Sequence, residues 1–325
     1  MIRHALGTLL LAGAAALPAM AMDPPGNAQK GLTPTDVVDL GEVWASARFS
    51  ALFGQGKAED LVNKADVDIT DFQVQLSGAV GLGMGIEVTF DIPCLFRGTT
   101  DMDVSSVSTE TQQLSEGFGD LTLSGVYRIL QEGAATPQWV VSAIVVAPVG
   151  NDFRGDSEVT VSGTTVRDGD TAGNGEGVWH YGFGSAISKQ IGMLEPYLGF
   201  SYVFGGKRQH NGVNEDRADV ATLIAGSELH ISPETTIDLR SAMFFNSKDV
   251  TEDNRARITE EAFNLYAVQA TAYITIAPSV TLLAGFGVGL MDDHLLDTSG
   301  DASLNDMIYY QGMIGLHVCF GLGGP

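Results

Sequence analysis

About twelve segments of this chain carry an apolar residue at every second position, and six long polar stretches alternate with five short turns between them. Successive side chains on a strand point to opposite faces, so a period of two sorts residues into an apolar face and a polar face. From Phe72 to Val80 the apolar set is Phe72, Val74, Leu76, Gly78 and Val80, while Asp71, Gln73, Gln75 and Ser77 point the other way. The next segment repeats the pattern, with Met84, Ile86, Val88, Phe90 and Ile92 against Glu87, Thr89 and Asp91. Only Gly81-Leu82-Gly83 separates the two, which predicts a tight hairpin.

The predicted strands are 42–53, 67–80, 83–92, 118–130, 138–148, 177–189, 194–204, 218–231, 235–246, 262–276, 279–290 and 307–320. Besides Gly81-Leu82-Gly83, the short connections are Gln131 to Pro137, Gln190 to Met193, Ser232-Pro233-Glu234 and Ala277-Pro278. The long ones are 54–66, 93–117, 149–176, 205–217, 247–261 and 291–306. A soluble β-sandwich also alternates, but it has no reason to keep one end short and the other long. The apolar faces run for about ten residues, as in Leu198, Phe200, Tyr202 and Phe204, which suits a tilted strand crossing a bilayer. The expected fold is all-β: a transmembrane antiparallel up-and-down β-barrel of about twelve strands over residues 41–325, with long extracellular loops and short periplasmic turns. The last predicted strand carries Ile308, Tyr310, Gly312, Ile314, Leu316, Val318 and Phe320 on its apolar face, then continues through Gly321-Leu322-Gly323-Gly324-Pro325.

The N-terminus fits the same compartment. Arg3 and His4, an apolar run from Ala5 to Leu17, and Ala19-Met20-Ala21 read as a signal peptide over residues 1–21. No cysteine follows the cleavage site, which argues against a lipid anchor. In the roughly 300 residues after that site, no apolar run reaches the 18 or so residues of a helical span. Residues 22–40, with Pro24-Pro25 and Thr33-Pro34, are too long for a simple lead-in and read as a periplasmic or plug segment. Cys94 and Cys319 fall at opposite ends of the expected barrel, beyond disulfide reach, so two thiols are predicted.

A net charge of -23 argues against nucleic acid, whose phosphates the carboxylates would repel. Much of that charge lies in the long connections. It reads first as a solvated acidic rim, although Asp168-Gly169-Asp170 and Asp292-Asp293 offer oxygens that hard cations take beside lipopolysaccharide. Neither has an EF-hand-type spacing. No cofactor is implied, and the oligomeric state is not readable.

Gly117-Phe118-Gly119-Asp120-Leu121 running into Val126-Tyr127-Arg128, then Ala147-Pro148-Val149-Gly150, then Tyr181-Gly182-Phe183-Gly184-Ser185 with Ser188-Lys189 form a set of glycine-rich strand and turn signatures. This stretch, about a quarter of the chain, resembles the outer-membrane proteins associated with the meta-cleavage pathway of phenol degradation. The resemblance implies a porin-like or transporter-like barrel in the bacterial outer membrane, sometimes encoded with aromatic-degradation enzymes. It brings no catalytic residue and no assigned substrate.

Twelve strands about 4.8 Å apart and tilted near 40° enclose a backbone radius of roughly 12 Å, a narrow bore once side chains are added. Its expected lining includes Arg48, Glu87, Asp120, Arg128, His180, Glu228, Asp238 and Arg240, besides Glu42, Asp71, Gln73, Gln75, Asp91, His230, Gln269, Gln311 and His317. Acids and guanidiniums facing across such a bore can form a network that fills it. Alternatively, Arg48, Arg128 and Arg240 form a cationic ladder that orients a polar or weakly acidic aromatic solute. Two functions therefore stand: a channel or transporter for small, hydrophobic or aromatic solutes, or a structural or adhesion barrel whose acidic loops bind cations or lipid. Catalysis is not expected, since Ser185 lies on the opposite face from His180, leaving Ser142 as the remaining nearby serine. Gly205-Gly206-Lys207-Arg208 lacks the spacing and the following helix of a phosphate loop.

Overall fold

The computed structural model describes residues 37, 39–59, 64–104, 109–150, 157–161, 164–168, 177–210, 213–252, 257–292, 294–297 and 302–321. The expected leader, most of the 22–40 segment, and parts of Asp168-Gly169-Asp170 and Asp292-Asp293 lie outside them.

A single antiparallel sheet closes on itself. β1 (Glu42–Glu59), β2 (Lys64–Gly83) and β3 (Ile86–Val104) are each continuous. Eight walls follow in two pieces each: β4 (Thr109–Phe118) with β5 (Leu121–Leu130), β6 (Gln138–Ala147) with β7 (Ser157–Val161), β8 (Thr164–Asp168) with β9 (His180–Ser188), and β10 (Leu194–Phe204) with β11 (Lys207–His210). The other four are β12 (Val213–Asp216) with β13 (Val220–Ser232), β14 (Thr235–Asn246) with β15 (Asp249–Glu252), β16 (Arg257–Glu260) with β17 (Phe263–Ala277), and β18 (Val280–Met291) with β19 (His294–Asp297). β20 (Ala302–Gly321) completes a twelve-strand barrel by pairing with β1, from Glu42 opposite Gly321 to Glu59 opposite Ser303. No helix occurs among the described residues.

The long connections differ from the expectation of irregular loops. β1, β2 and β20 run for 18, 20 and 20 residues, about twice the 9–11 that cross a bilayer. Pairing of β1 with β2 continues to Glu59 opposite Lys64, and that of β3 with β4 to Val104 opposite Thr109. These outer ribbons are held by backbone bonds. Their side chains lack an apolar period, which is why alternation alone ended the strands early. Met84 moves as well: it is not the first lipid-facing residue of a strand but, with Gly85, the tip of the β2–β3 hairpin. Both residues have positive φ, 53° and 76°, as a two-residue type I′ turn demands.

The two faces separate by burial. Outward residues such as Leu76, Val88, Leu198, Leu239, Val268, Phe286 and Ile314 are exposed, while their neighbours Gln75, Glu87, Tyr197, Asp238, Gln269 and Met313 are buried inside the barrel. Aromatic rings gather outside near the outer end of the β9–β10 pair, where Phe183 lies 6.2 Å from both Phe200 and Tyr202, and Tyr202 lies 4.9 Å from Phe204 between centroids. Such rings suit the headgroup level of an outer-membrane barrel. Cys94 sits within β3 opposite Val74 rather than at its outer end, and Cys319 sits opposite Trp44, itself opposite Ala79. The five steps from Val74 to Ala79 span about 17 Å. Neither cysteine is in a disulfide.

The periplasmic turns are fastened to one another. In the connection 131–137, Glu132 accepts from Lys189 Nζ and from the Gln190 backbone N–H, each at 2.9 Å. The hydrogen bond from Lys189 holds the Glu132 carboxyl below its ordinary value of 4.5. A lowered value means the fastening is complete above about pH 4.5 and is lost as pH falls through the folded value. The protection factors of the backbone amides around 131–137 and Gln190, with the intrinsic pH dependence of exchange divided out, should therefore fall as the carboxyl is protonated, and in Glu132→Gln they should already be low at neutral pH and change little further.

Val268 faces outward near the middle of β17, beside inward Gln269. Val268→Arg should cost roughly 2 to 4 kcal/mol by placing a cation on the lipid face. Gln269→Asn should cost only about 1 kcal/mol, the worth of the bond from Gln269 Nε2 to Thr271 Oγ1. Urea unfolding of both variants in liposomes checks the difference, and equal losses would contradict the face assignment.

Candidate functional site: the interior of the barrel

Inward side chains divide into two zones along the axis. In the periplasmic half most of the charged ones are hydrogen-bonded to one another, beside apolar patches at Trp44 and at Val126, Val140 and Ala186. Arg48 Nη2 donates to Gln75 Oε1, Gln75 Nε2 donates to Asp91 Oδ2 at 2.5 Å, and Ser77 Oγ donates to Asp91 Oδ1 at 2.6 Å. This chain of bonds ties β1, β2 and β3 across neighbouring register positions. A second network lies on β10 and β14. The Tyr197 hydroxyl donates to Asp238 Oδ1 at 2.7 Å, and Arg240 meets Asp238 Oδ2 through Nε at 2.9 Å and Nη2 at 2.7 Å. Tyr197 crosses β13 to reach Asp238, and it does so over Gly226, its register partner. A Cβ on Gly226 would stand 2.4 Å from the Tyr197 hydroxyl oxygen, so only glycine lets the ring lie against the wall.

Toward the extracellular end most inward side chains are apolar, with Asp71, Gln311 and His180 interspersed. Leu52, Ile69, Leu95, Val203, Phe244, Leu265, Met291, Met307 and Tyr309 all point inward and are buried. Gly54 and Gly56 lie beneath Tyr309 and Met307 in the same way. This half departs from the sequence expectation of a uniformly hydrophilic bore. A signal was present: Ala242-Met243-Phe244-Phe245 and Ile308-Tyr309-Tyr310 are apolar on both faces, which alternation read only as lipid contact.

Each predicted lining residue can now be placed. Glu87, Glu228, Asp238 and Arg240 point inward, each no more than 3% exposed, and His180 points inward near the outer end of β9. Asp120 lies in the break between β4 and β5 rather than on a strand, and its Oδ1 accepts from the Gly150 backbone N–H at 3.0 Å, tying down the segment after β6. Arg48, Arg128 and Arg240 do not stack. They stand on β1, β5 and β14, three to five walls apart around the barrel. Arg128 Nη2 donates to the backbone carbonyl of Val37 at 2.8 Å. Val37 packs against Val126, Val140 and Ala186, three residues on the inward faces of β5, β6 and β9. A residue that precedes the barrel in sequence thus lies inside it.

No Ser–His pairing forms among these groups. Ser185 faces outward and accepts from Trp139 Nε1 at 2.8 Å. Ser142 is paired with Gly184, four residues from His180, about 13 Å along the strand. At the periplasmic mouth, Glu195, Glu228 and His230 bring two carboxylates and an imidazole together, with ligand atoms within 4.8 Å of one another. Glu195 is absent from the sequence expectation, although its parity with Tyr197 places it inside.

A closed barrel with an apolar exterior and aromatic rings at its rim is an integral protein of the bacterial outer membrane. No protein-family model matches the chain. Among solved structures, it is similar to an outer-membrane channel from Pseudomonas putida F1, with a TM-score of 0.59 at 13% identity over 90% of this chain and 100% of that one. It is also similar to the transport unit of the autotransporter AIDA-I from Escherichia coli, with a TM-score of 0.54 at 11% identity over 97% of this chain and 98% of that one. At such identities the likeness concerns the fold.

Gly226→Val should push Tyr197 into the bore and break its bond to Asp238. The expected loss is about 1.5 to 3 kcal/mol, as for a hydrogen bond to a charged group, read by urea unfolding. Tyr197→Phe in the Gly226→Val background should then cost little more.

Proposed function

We propose that this chain is a channel that passes small hydrophobic or aromatic solutes across the outer membrane and has no enzymatic role. The observation that carries the reading is the apolar outer half of the bore, where Phe244, Leu265, Met291, Met307 and Tyr309 form an inward greasy surface. A water-filled pore for sugars or ions has no use for such a lining, since an apolar solute gains about 25 cal/mol per Å2 on leaving water for it. The Pseudomonas protein of the same fold is itself an outer-membrane channel. The resemblance to proteins of phenol degradation supports an aromatic solute, and the leader at 1–21 supplies the export such a barrel requires.

In this reading residues 22–40 are a plug that enters from the periplasm. Val37, held by Arg128 and seated on Val126, Val140 and Ala186, supports that role. The solute enters among the apolar residues, with Asp120 and His180 as polar contacts near the rim. It then meets the bonded belt of Arg48, Glu87, Arg128, Glu228, Asp238 and Arg240, which admits it when the plug shifts. Lipopolysaccharide surrounds the outer ribbons.

Arg128→Ala removes one tie on the plug and should raise the open probability several-fold in planar bilayers. Phe244→Asn with Leu265→Asn should instead slow the uptake of a monoaromatic probe into liposomes while leaving ion conductance near the wild-type value. Uptake of sugars faster than aromatics in the wild-type barrel, or aromatic uptake indifferent to both replacements, would overturn the reading.

A further inference from the structure

We propose that Glu195, Glu228 and His230 form a binding site for a divalent transition-metal ion of the zinc class at the periplasmic mouth of the bore. The site is distinct from the solute route's apolar half and does not depend on what the barrel carries.

The sheet places the three ligands. Glu195 on β10 stands directly opposite Glu228 on β13, and His230 follows Glu228 by two residues on the same inward face. His230 Nε2 lies 3.4 Å from Glu195 Oε2 and 3.8 Å from Glu228 Oε2. Zinc binds imidazole nitrogen and carboxylate oxygen at about 2.0 to 2.2 Å, so two ligand atoms of a tetrahedral site sit about 3.4 Å apart. Two edges of the triangle are already near those of such a site, and the third lies within 4.8 Å.

Two ligands are held by groups that bind no metal themselves. Ser188 Oγ donates to Glu195 Oε1 at 2.9 Å, which leaves Oε2 facing the centre. The hydroxyl of Thr236, the register partner of His230, lies 3.2 Å from Nδ1. With Nδ1–H donating to that hydroxyl, Nε2 presents its lone pair to the carboxylates, the arrangement that outer-shell partners impose on metal-binding histidines. In the other neutral tautomer Nε2–H donates to Glu195 Oε2 at 3.4 Å and the Thr236 hydroxyl donates to Nδ1, and a metal ion takes the place of the Nε2 proton on binding. The donor set also selects the ion. Calcium takes six to eight oxygens, whereas an imidazole with two carboxylates suits zinc and its first-row neighbours. The alternative occupant is a proton on His230 Nε2 shared with Glu195, and the experiment separates the two.

The full mature barrel, refolded without a polyhistidine tag and stripped with EDTA, is titrated with zinc chloride at neutral pH by calorimetry, with calcium and magnesium chloride as comparison ions. The expected result is one saturable zinc site per chain, absent for calcium and magnesium. Glu195→Gln and His230→Asn should each abolish it, and Thr236→Val should weaken it about 10- to 100-fold. Cobalt(II) substitution should give the visible absorption of a low-coordinate site, lost in His230→Asn. Each variant is first checked for the heat-modifiable electrophoretic mobility of the folded barrel, and Glu195→Gln serves where His230→Asn fails to fold. Zinc binding that survives all three replacements, or a His230 resonance that titrates with protons yet ignores zinc, would overturn the proposal. Solute uptake is measured separately, so loss of the metal site and loss of the channel reading remain distinguishable.

Discussion

The hydrocarbon interior of a bilayer offers no partner for a backbone N–H or carbonyl, and leaving one unpaired there costs several kcal/mol. Closure of β20 onto β1 answers that constraint, because it leaves the sheet without an edge at membrane depth. Once the ring is closed, only one property is demanded of the outward side chains, which is compatibility with lipid. The inward ones are released from the membrane altogether. They can be acids, rings or thioethers without placing a polar group against lipid.

Two chemistries share that inward surface. Near the periplasm, Tyr197, Asp238 and Arg240 on one side and Arg48, Gln75 and Asp91 on the other are hydrogen-bonded across adjacent strands. Burying a guanidinium or carboxylate is tolerable only with such partners, so this half is rigid and wall-bound. Near the exterior, Phe244, Leu265, Met291, Met307 and Tyr309 need no partners. Thioethers in particular adapt to ligands of varied shape. A stiff polar collar below a compliant apolar chamber is an asymmetric container, and Val37 enters it from the stiff end.

Much of the barrel was legible because period-two alternation and turn chemistry are local signals. The pairs Leu76 with Gln75 and Val88 with Glu87 fall on opposite faces as their alternation implies. Strand ends were less so: the ribbon at Glu59 and Lys64 is held by the backbone, which leaves no mark in side-chain pattern. The apolar chamber escaped notice because a residue such as Phe244 beside Phe245 makes both faces greasy, and periodicity then assigns both to lipid. The dispersal of Arg48, Arg128 and Arg240 around the wall depends on strand order in a closed ring, which a linear reading leaves unused. Asp120 was read as lining, and the tie to Gly150 that occupies it spans 30 residues.

Gly54, Gly56 and Gly226 lie beneath Tyr309, Met307 and Tyr197, each a missing side chain into which a larger one from the adjacent strand reclines. The calibre of the passage at these heights is therefore governed from next door. A methyl group added to one strand lifts an entire aromatic ring or thioether off its neighbour and swings it toward the axis. Descendants of this barrel have in these three positions a dial for aperture, one that needs no alteration of the groups a passenger touches.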